Sequence, residues 1–230
     1  MSRNAQLLSG LRDDGSCLPW VGTLTTGGPI RTRPGTRIPA GRANGPLSGG
    51  VAQVALFPVA LLVQKFGGTA VGDPDRIRAV ADHVARTVRQ GNQVVLVVSA
   101  MGNETDSLLR LAGDVSSTHP GREMDMLITA GERKAMALMC MALHDLDLPA
   151  DSFTGSQAGF LTDTEHRNAK ILEVRPDRVR AALDTGRIPV VGGSQGVSTD
   201  NDVTFLGRGG SDTTAVALAH ALDADACELY

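Results

Sequence analysis

From residue 59 onward the sequence predicts an α/β fold: an open, mostly parallel sheet with helices on both faces, an αβα sandwich. Three observations lead there. Short apolar runs alternate with longer stretches of helical period, the pattern of strands joined by crossover helices. The apolar runs at 59–64 and 93–98 are continuous rather than alternating, as in strands buried on both faces. Finally, four runs end in glycine- or serine-rich turns, at 65–69, 99–102, 192–194 and 207–212. Ligands of open parallel sheets sit at the carboxyl ends of strands, so these turns are expected to converge on one site.

Residues 59–64 form the first expected strand. Residues 74–89 follow as a helix, with Ile77, Val80, Ala81, Val84 and Val88 on one face, Asp73 at the cap and Gly91 past the end. Residues 93–98 form the second strand, which turns through 99–102 into a helix starting near Thr105 and carrying Leu108, Leu109 and Leu111. The longest helix spans 121–144, with Met124, Leu127, Ile128, Ala135, Leu138 and Met139 as its apolar positions; methionine there fills core gaps. Gly131 interrupts it at a cost of about 1 kcal/mol relative to Ala, which implies close approach by another segment or a ligand. Short strands with loops are expected over 152–162 and 169–174, then a short helix over 176–183 with Pro176 near its first turn. Strands follow over 188–191 and 203–206. Ser211 is expected to cap a last helix bearing Val216, Ala219 and Leu222, and 226–230 begins a strand.

Residues 1–58 read differently. They are rich in Gly and Pro, hold several Arg but no Lys and no Glu, and show no sustained apolar period. Such a composition cannot bury enough surface to fold, so a disordered leader is expected. An Arg-rich, acid-poor leader also suits an organelle transit peptide, although the frequent Gly and Pro argue against it. A start codon placed too far upstream gives the same appearance.

The formal net charge is −3, and no basic stripe is interleaved with aromatics, which argues against a nucleic-acid partner. The longest apolar stretch, 51–63, is shorter than the roughly 20 residues a spanning helix needs, so no membrane partner is expected. Cys17, Cys140 and Cys227 are odd in number and far apart; they suggest neither a metal cluster nor a disulfide framework, and a reduced, cytoplasmic setting. The histidines at 83, 119, 144, 166 and 220 have no partner spacing and receive no chemical role.

The chemistry lies in the turns. Lys65-Phe66-Gly67-Gly68-Thr69 and Gly207-Arg208-Gly209-Gly210-Ser211-Asp212 each read as strand end, glycine turn and helix start. A helix N-terminus offers unpaired N–H groups and a positive dipole end, and glycines let that backbone approach a phosphate. Two such turns with Lys65 and Arg208 point to two anionic substrates, hence a small-molecule kinase. Because Lys65 precedes its glycines, the first turn is not a Walker P-loop.

In order, the segments beginning at Lys65 (KFGGT), Ser99 (SAMG), Thr129 (TAGER), Ser152 (SFTGSQAG) and Gly207 (GRGGSDTT) closely resemble those of aspartokinases, within the amino acid kinase family. The resemblance covers residues 59–230, so the chain reads as a leader over 1–58 and a partial amino acid kinase catalytic domain over 59–230. It implies ATP-dependent phosphorylation of the side-chain carboxylate of L-aspartate, yielding 4-phospho-L-aspartate for lysine, threonine and methionine biosynthesis. It implies ATP as cofactor with Mg²⁺ through the nucleotide, no metal site of the protein's own, and a homo-oligomer or pairing with another kinase chain. Phosphoryl transfer asks mainly for positioning and charge neutralisation. By resemblance, Lys65 neutralises the transferring phosphoryl, while Gly67, Gly68, Thr69, Ser99, Gly209 and Gly210 line the phosphates. Arg208 clamps the α-carboxylate, Glu132 pairs with the α-ammonium, Ser211 and Thr105 add hydrogen bonds, and Asp212 orients Lys65 or holds a Mg²⁺ shell. For Glu132, the other reading of the residues is a helix-surface carboxylate paired with Arg133 or a neighbour.

Four departures from that family are visible. Ala70 stands where Ser is usual, and Gly193-Ser194 where Gly-Phe is usual. The sequence ends at Tyr230, where the family continues into a nucleotide-holding segment, and no regulatory ACT domain is expected. The expectation is a C-terminally incomplete domain with weak or no turnover, or a non-catalytic remnant that binds aspartate or pairs with a full-length kinase. A kinase of the same fold acting on glutamate, N-acetylglutamate or a nucleotide is a third reading.

Overall fold

The structure, a computed structural model, describes residues 59–230; the expected leader over 1–58 lies outside them. Five strands make the main sheet: β1 (Leu61–Phe66), β2 (Gln93–Val98), β3 (Ala150–Phe153), β6 (Ile188–Gly192) and β9 (Ala226–Leu229), in the order β3-β6-β2-β1-β9. Every neighbouring pair is parallel. Alternate side chains of each strand enter opposite cores, as the pleat requires. Val94, Leu96 and Val98 face α1 (Pro74–Arg89) and α3 (Gly121–His144). Val63, Val95 and Val97 face α4 (Asp177–Asp184) and α5 (Gly210–Leu222). The parallel sheet with helices on both faces is thus present.

A second, four-stranded sheet was not expected. It runs β5 (Ile171–Val174), β4 (Phe160–Thr162), β7 (Gln195–Ser198), β8 (Val203–Phe205). Its strands are three or four residues long, and β7 has no apolar run, since Val197 is its sole aliphatic residue. Periodicity cannot register so short an element. What makes β7 a strand is its pairing with β4 on one side and β8 on the other.

Local capping follows the sequence closely at α1, where Asp73 accepts a hydrogen bond from the Arg76 N–H at 2.8 Å. Helix α2 (Glu104–Val115) leaves no residue fully buried, because it lies over α3 rather than over the sheet. Gly131 of α3 is the point of approach: a Cβ there would stand 2.9 Å from the Ala100 Cβ. Leu138, expected on the core face of α3, is instead 36% exposed.

Two boundaries correct the sequence reading. Strand β1 extends to Phe66, so Lys65 lies within the strand, paired in register with Val97 and Leu229, and not in the turn after it. Helix α5 is capped by Gly209, in the left-handed conformation at φ 77°, and Ser211 lies inside its first turn. A glycine reaches that conformation without steric cost, and this places Ser211 over the sheet rather than at the cap.

Among the described residues, no helix is long and apolar enough to cross a membrane. Cys140 is buried and Cys227 partly so; neither forms a disulfide, and burial pushes the Cys140 thiol up to about 12.

Candidate active site

The turns after β1, β2 and β6 meet the first turn of α5 around a cleft of about 440 Å³. Gly68, Ser99, Thr105, Glu132, Arg208, Gly209 and Ser211 all line it. The convergence expected from four separated segments is therefore real for these seven residues.

The backbone corner is built by close packing. A Cβ on Gly68 would stand 2.7 Å from the Ala100 carbonyl oxygen, and the Gly102 N–H donates to the Gly68 carbonyl at 2.9 Å. Among the described residues, the N–H groups of Gly68 and Gly209 have no hydrogen-bond acceptor. Gly67 and Gly210 depart from expectation: their N–H groups already donate to the carbonyls of Tyr230 at 3.0 Å and Gly207 at 3.1 Å. Thr69 is exposed outside the cleft, and its carbonyl accepts from Arg76 Nη1 at 2.6 Å. These three are steered by hydrogen bonds that the motifs do not reveal.

Lys65 does not line the cleft; its ammonium lies 2.6 Å from Asp212 Oδ1. Since Asp212 follows Ser211 on α5, the ion pair stands beside the cleft. The lysine side chain is 13% exposed, against 51% for the aspartate. Asp212 is also an acid in the first turn of α5, where the helix dipole favours it.

Glu132 is the electrostatic centre. It projects from α3, is 3% exposed, and its Oε2 has no hydrogen-bond partner. Burial raises its carboxyl from the ordinary 4.5 to about 7, partly offset by the backbone N–H groups of Glu132 and Ala100. The alternative of a surface carboxylate paired with Arg133 is thereby overturned. A buried acid with an unpartnered oxygen at a cleft wall marks a candidate functional site.

Arg208 is exposed at the opposite lip, between Gly207 at φ 84° and Gly209 at φ 77°. Ser99 Oγ donates to Ser211 Oγ at 2.9 Å, and Ser194 Oγ lies 2.9 Å from the same oxygen. Ala70 packs against the core, and the Ala70 N–H donates to the Gly67 carbonyl at 2.9 Å.

Three contributors escaped the sequence reading. Arg167 lines the cleft from a left-handed backbone at φ 66°. Its N–H donates to Asp125, a carboxylate with no exposure at all, which also accepts from the Phe205 N–H and lies 2.9 Å from His166 Nδ1. His166, given no role from spacing, is 41 residues from that partner; only the fold brings them together. Asp125 thus ties α3 to the loop carrying Arg167 and to the end of β8. Asp125→Ala orphans two backbone N–H groups, and we expect a loss of about 3 kcal/mol in denaturant unfolding. A loss below about 1 kcal/mol would count against this strut.

Among the described residues, no group of three or more His, Cys, Asp or Glu side chains converges to hold a metal ion.

The model of the amino acid kinase family matches residues 60–230. The chain belongs to the amino acid kinase family. Within it, the chain is similar to the aspartokinase of Mycolicibacterium smegmatis, 61% identical over 173 residues that cover 75% of this chain and 41% of that protein. The aspartokinase of Corynebacterium glutamicum is 58% identical over the same shares. The chain therefore spans about 41% of the length of the curated relatives it matches. Among solved structures, the aspartate kinase of Synechocystis superposes with a TM-score of 0.65 at 50% identity, over 74% of this chain and 28% of that one. E. coli aspartokinase III in complex with aspartate and ADP shares the fold, with TM-score 0.65 and 22% identity over 74% and 48% of the two chains. The residues matched by the family model include every residue that lines the cleft.

Proposed function

We propose that residues 59–230 form the aspartate-binding part of an aspartate kinase, which transfers the γ-phosphoryl group of ATP to the side-chain carboxylate of L-aspartate. One observation carries this reading: a buried carboxylate with a free oxygen, Glu132, and an exposed guanidinium, Arg208, share one cleft. An α-amino acid presents the complementary pair, an ammonium and a carboxylate. The close similarity to aspartokinases supports aspartate as the particular amino acid.

In this reading Glu132 ionises as it receives the ammonium, and Arg208 takes the α-carboxylate in a bidentate pair. Ser211 and Thr105 add hydrogen bonds, and Ser99 lies on the phosphate side. The free N–H groups of Gly68 and Gly209 suit phosphoryl oxygens. Lys65, held by Asp212, supplies the positive charge that the transferring group needs. ATP supplies the phosphoryl group, and Mg²⁺ arrives on the nucleotide, with Asp212 the carboxylate nearest Lys65. The product, 4-phospho-L-aspartate, feeds lysine, threonine and methionine synthesis in the cytoplasm. Turnover, ACT-type regulation and self-association or pairing with another kinase chain are properties proposed for the whole protein.

Calorimetry with L-aspartate, L-glutamate and ATP tests the reading. Aspartate is expected to bind the 230-residue chain more tightly than glutamate. Arg208→Ala should weaken aspartate about thirtyfold, the loss of one charge-assisted pair at roughly 2 kcal/mol, and leave the melting temperature unchanged. Equal binding of both amino acids, or none of either, would defeat the proposal. Aspartate binding without ATP binding would favour a non-catalytic binding role.

A further inference from the structure

We propose that Ser194 is a positioning residue: with Ser99, it fixes the Ser211 hydroxyl at the wall of the cleft. A serine hydroxyl has one proton and two acceptor lone pairs. Ser99 Oγ donates to Ser211 Oγ at 2.9 Å, which fills one lone pair. Ser194 Oγ lies 2.9 Å from the same oxygen and has no other hydrogen-bond partner among the described residues; either hydroxyl can be the donor in this pair. Ser211 Oγ is thus held by two hydroxyls from two separate turns, and both Ser194 and Ser211 line the cleft.

The surroundings are built for this arrangement. Ser194 is 5% exposed and adopts φ 58°, a conformation that costs a non-glycine residue about 1 kcal/mol or more. Its backbone is held on both sides: its N–H donates to Thr214 Oγ1 at 3.0 Å, and its carbonyl accepts from the Leu206 N–H at 2.8 Å. Glycines flank the contact. A Cβ on Gly193 would stand 2.7 Å from Ser211 Oγ, and one on Gly210 2.9 Å from Ser194 Oγ. Thus Ser194 is the side chain through which the β6–β7 turn reaches Ser211.

A hydroxyl fixed at the cleft wall can donate to a carboxylate or phosphoryl oxygen of a ligand. That consequence rests on the aspartate reading of the cleft; the hydroxyl arrangement does not. The decisive variants are Ser194→Gly, which removes the hydroxyl and suits the left-handed backbone, Ser211→Ala, and the double variant. Ser194→Gly should keep or raise the melting temperature and weaken L-aspartate binding about tenfold. The double variant should bind no more weakly than Ser211→Ala alone, because Ser194 acts through Ser211. Multiplicative losses, or unchanged affinity in Ser194→Gly, would overturn the proposal. In the ligand-free chain, NMR should detect a slowly exchanging hydroxyl proton in the Ser194–Ser211 hydrogen bond that disappears in Ser211→Ala. Its survival there would also overturn the proposal. If the proton behaves as expected but the unsubstituted chain binds no aspartate, the hydroxyl arrangement stands and the aspartate reading falls.

Discussion

Replacing Glu132 with Gln should strengthen the fold at pH 8 while removing aspartate binding. The carboxyl is raised from 4.5 to about 7 by burial. A raised acid favours the protonated form in the native state, so its contribution is fully present below pH 4.5. It is lost as pH climbs from 4.5 through about 7. The gap corresponds to roughly 3 kcal/mol of stability that the native protein forgoes at pH 8. Gln keeps the shape and drops the charge, so the variant should be more stable by up to about that amount at pH 8 and match the native protein near pH 4.5. Aspartate affinity should fall at least about a hundredfold, since a neutral amide cannot balance the ammonium. In the native protein, binding below pH 7 should take up Glu132 in its ionised form and release a proton, visible as a buffer-dependent heat. Affinity should rise with pH and level off above about 7; the variant should show no such rise. Urea titrations at the two pH values and calorimetry in two buffers check these outcomes. A variant that is no more stable at pH 8 would mean that Glu132 is not an ionised burden on the fold.

Gly159→Ala should be among the most damaging single substitutions in the chain. Gly159 adopts φ 86°, and a Cβ there would fall into the carbonyl group of Arg175. The two residues are linked, with the Arg175 N–H donating to the Gly159 carbonyl at 2.9 Å just before β4 meets β5 at Phe160 and Val174. Ala158 and Phe160 on either side are completely buried. The backbone therefore cannot move aside without uncovering core. We expect a loss of 3 kcal/mol or more, roughly a 10 °C fall in melting temperature for a domain of this size. Gly91→Ala is the control, since Gly91 has φ 95° but nothing within 4 Å of its Cβ position; it should lose only about 1 kcal/mol. Equal losses at the two sites would show that conformation alone, and not the contact with Arg175, sets the cost.

Element by element, the strands of the main sheet and all five helices were legible because their signals are local. Asp73 at the cap of α1 and the buried run of β2 declare themselves within a few residues. Strands containing β4, β5 and β8 were also expected, but their grouping into a second sheet was not legible, since β7, which joins β4 to β8, is a strand only through its neighbours. At the site, Arg208, Ser211, Glu132, Thr105, Ser99, Gly68 and Gly209 were identified from glycine turns and family-like segments, and they do share a cleft. Gly67, Thr69 and Gly210 were identified by the same signals and do not line it. Their fate depends on hydrogen bonds to Tyr230, Arg76 and Gly207, of which the first two lie outside the motifs and the third lies within one without revealing the bond.

Residue order alone settles the alternation of strands and helices and which turns carry glycine, lysine and arginine, because each depends on interactions within one or two helical turns or a few strand residues. Burial of Glu132, the Lys65–Asp212 ion pair, the anchoring of Arg167 by Asp125 and the three-serine contact arise only on folding. Each joins groups from separate elements, and a carboxyl group acquires its proton affinity from the water it has lost and the dipoles it has gained.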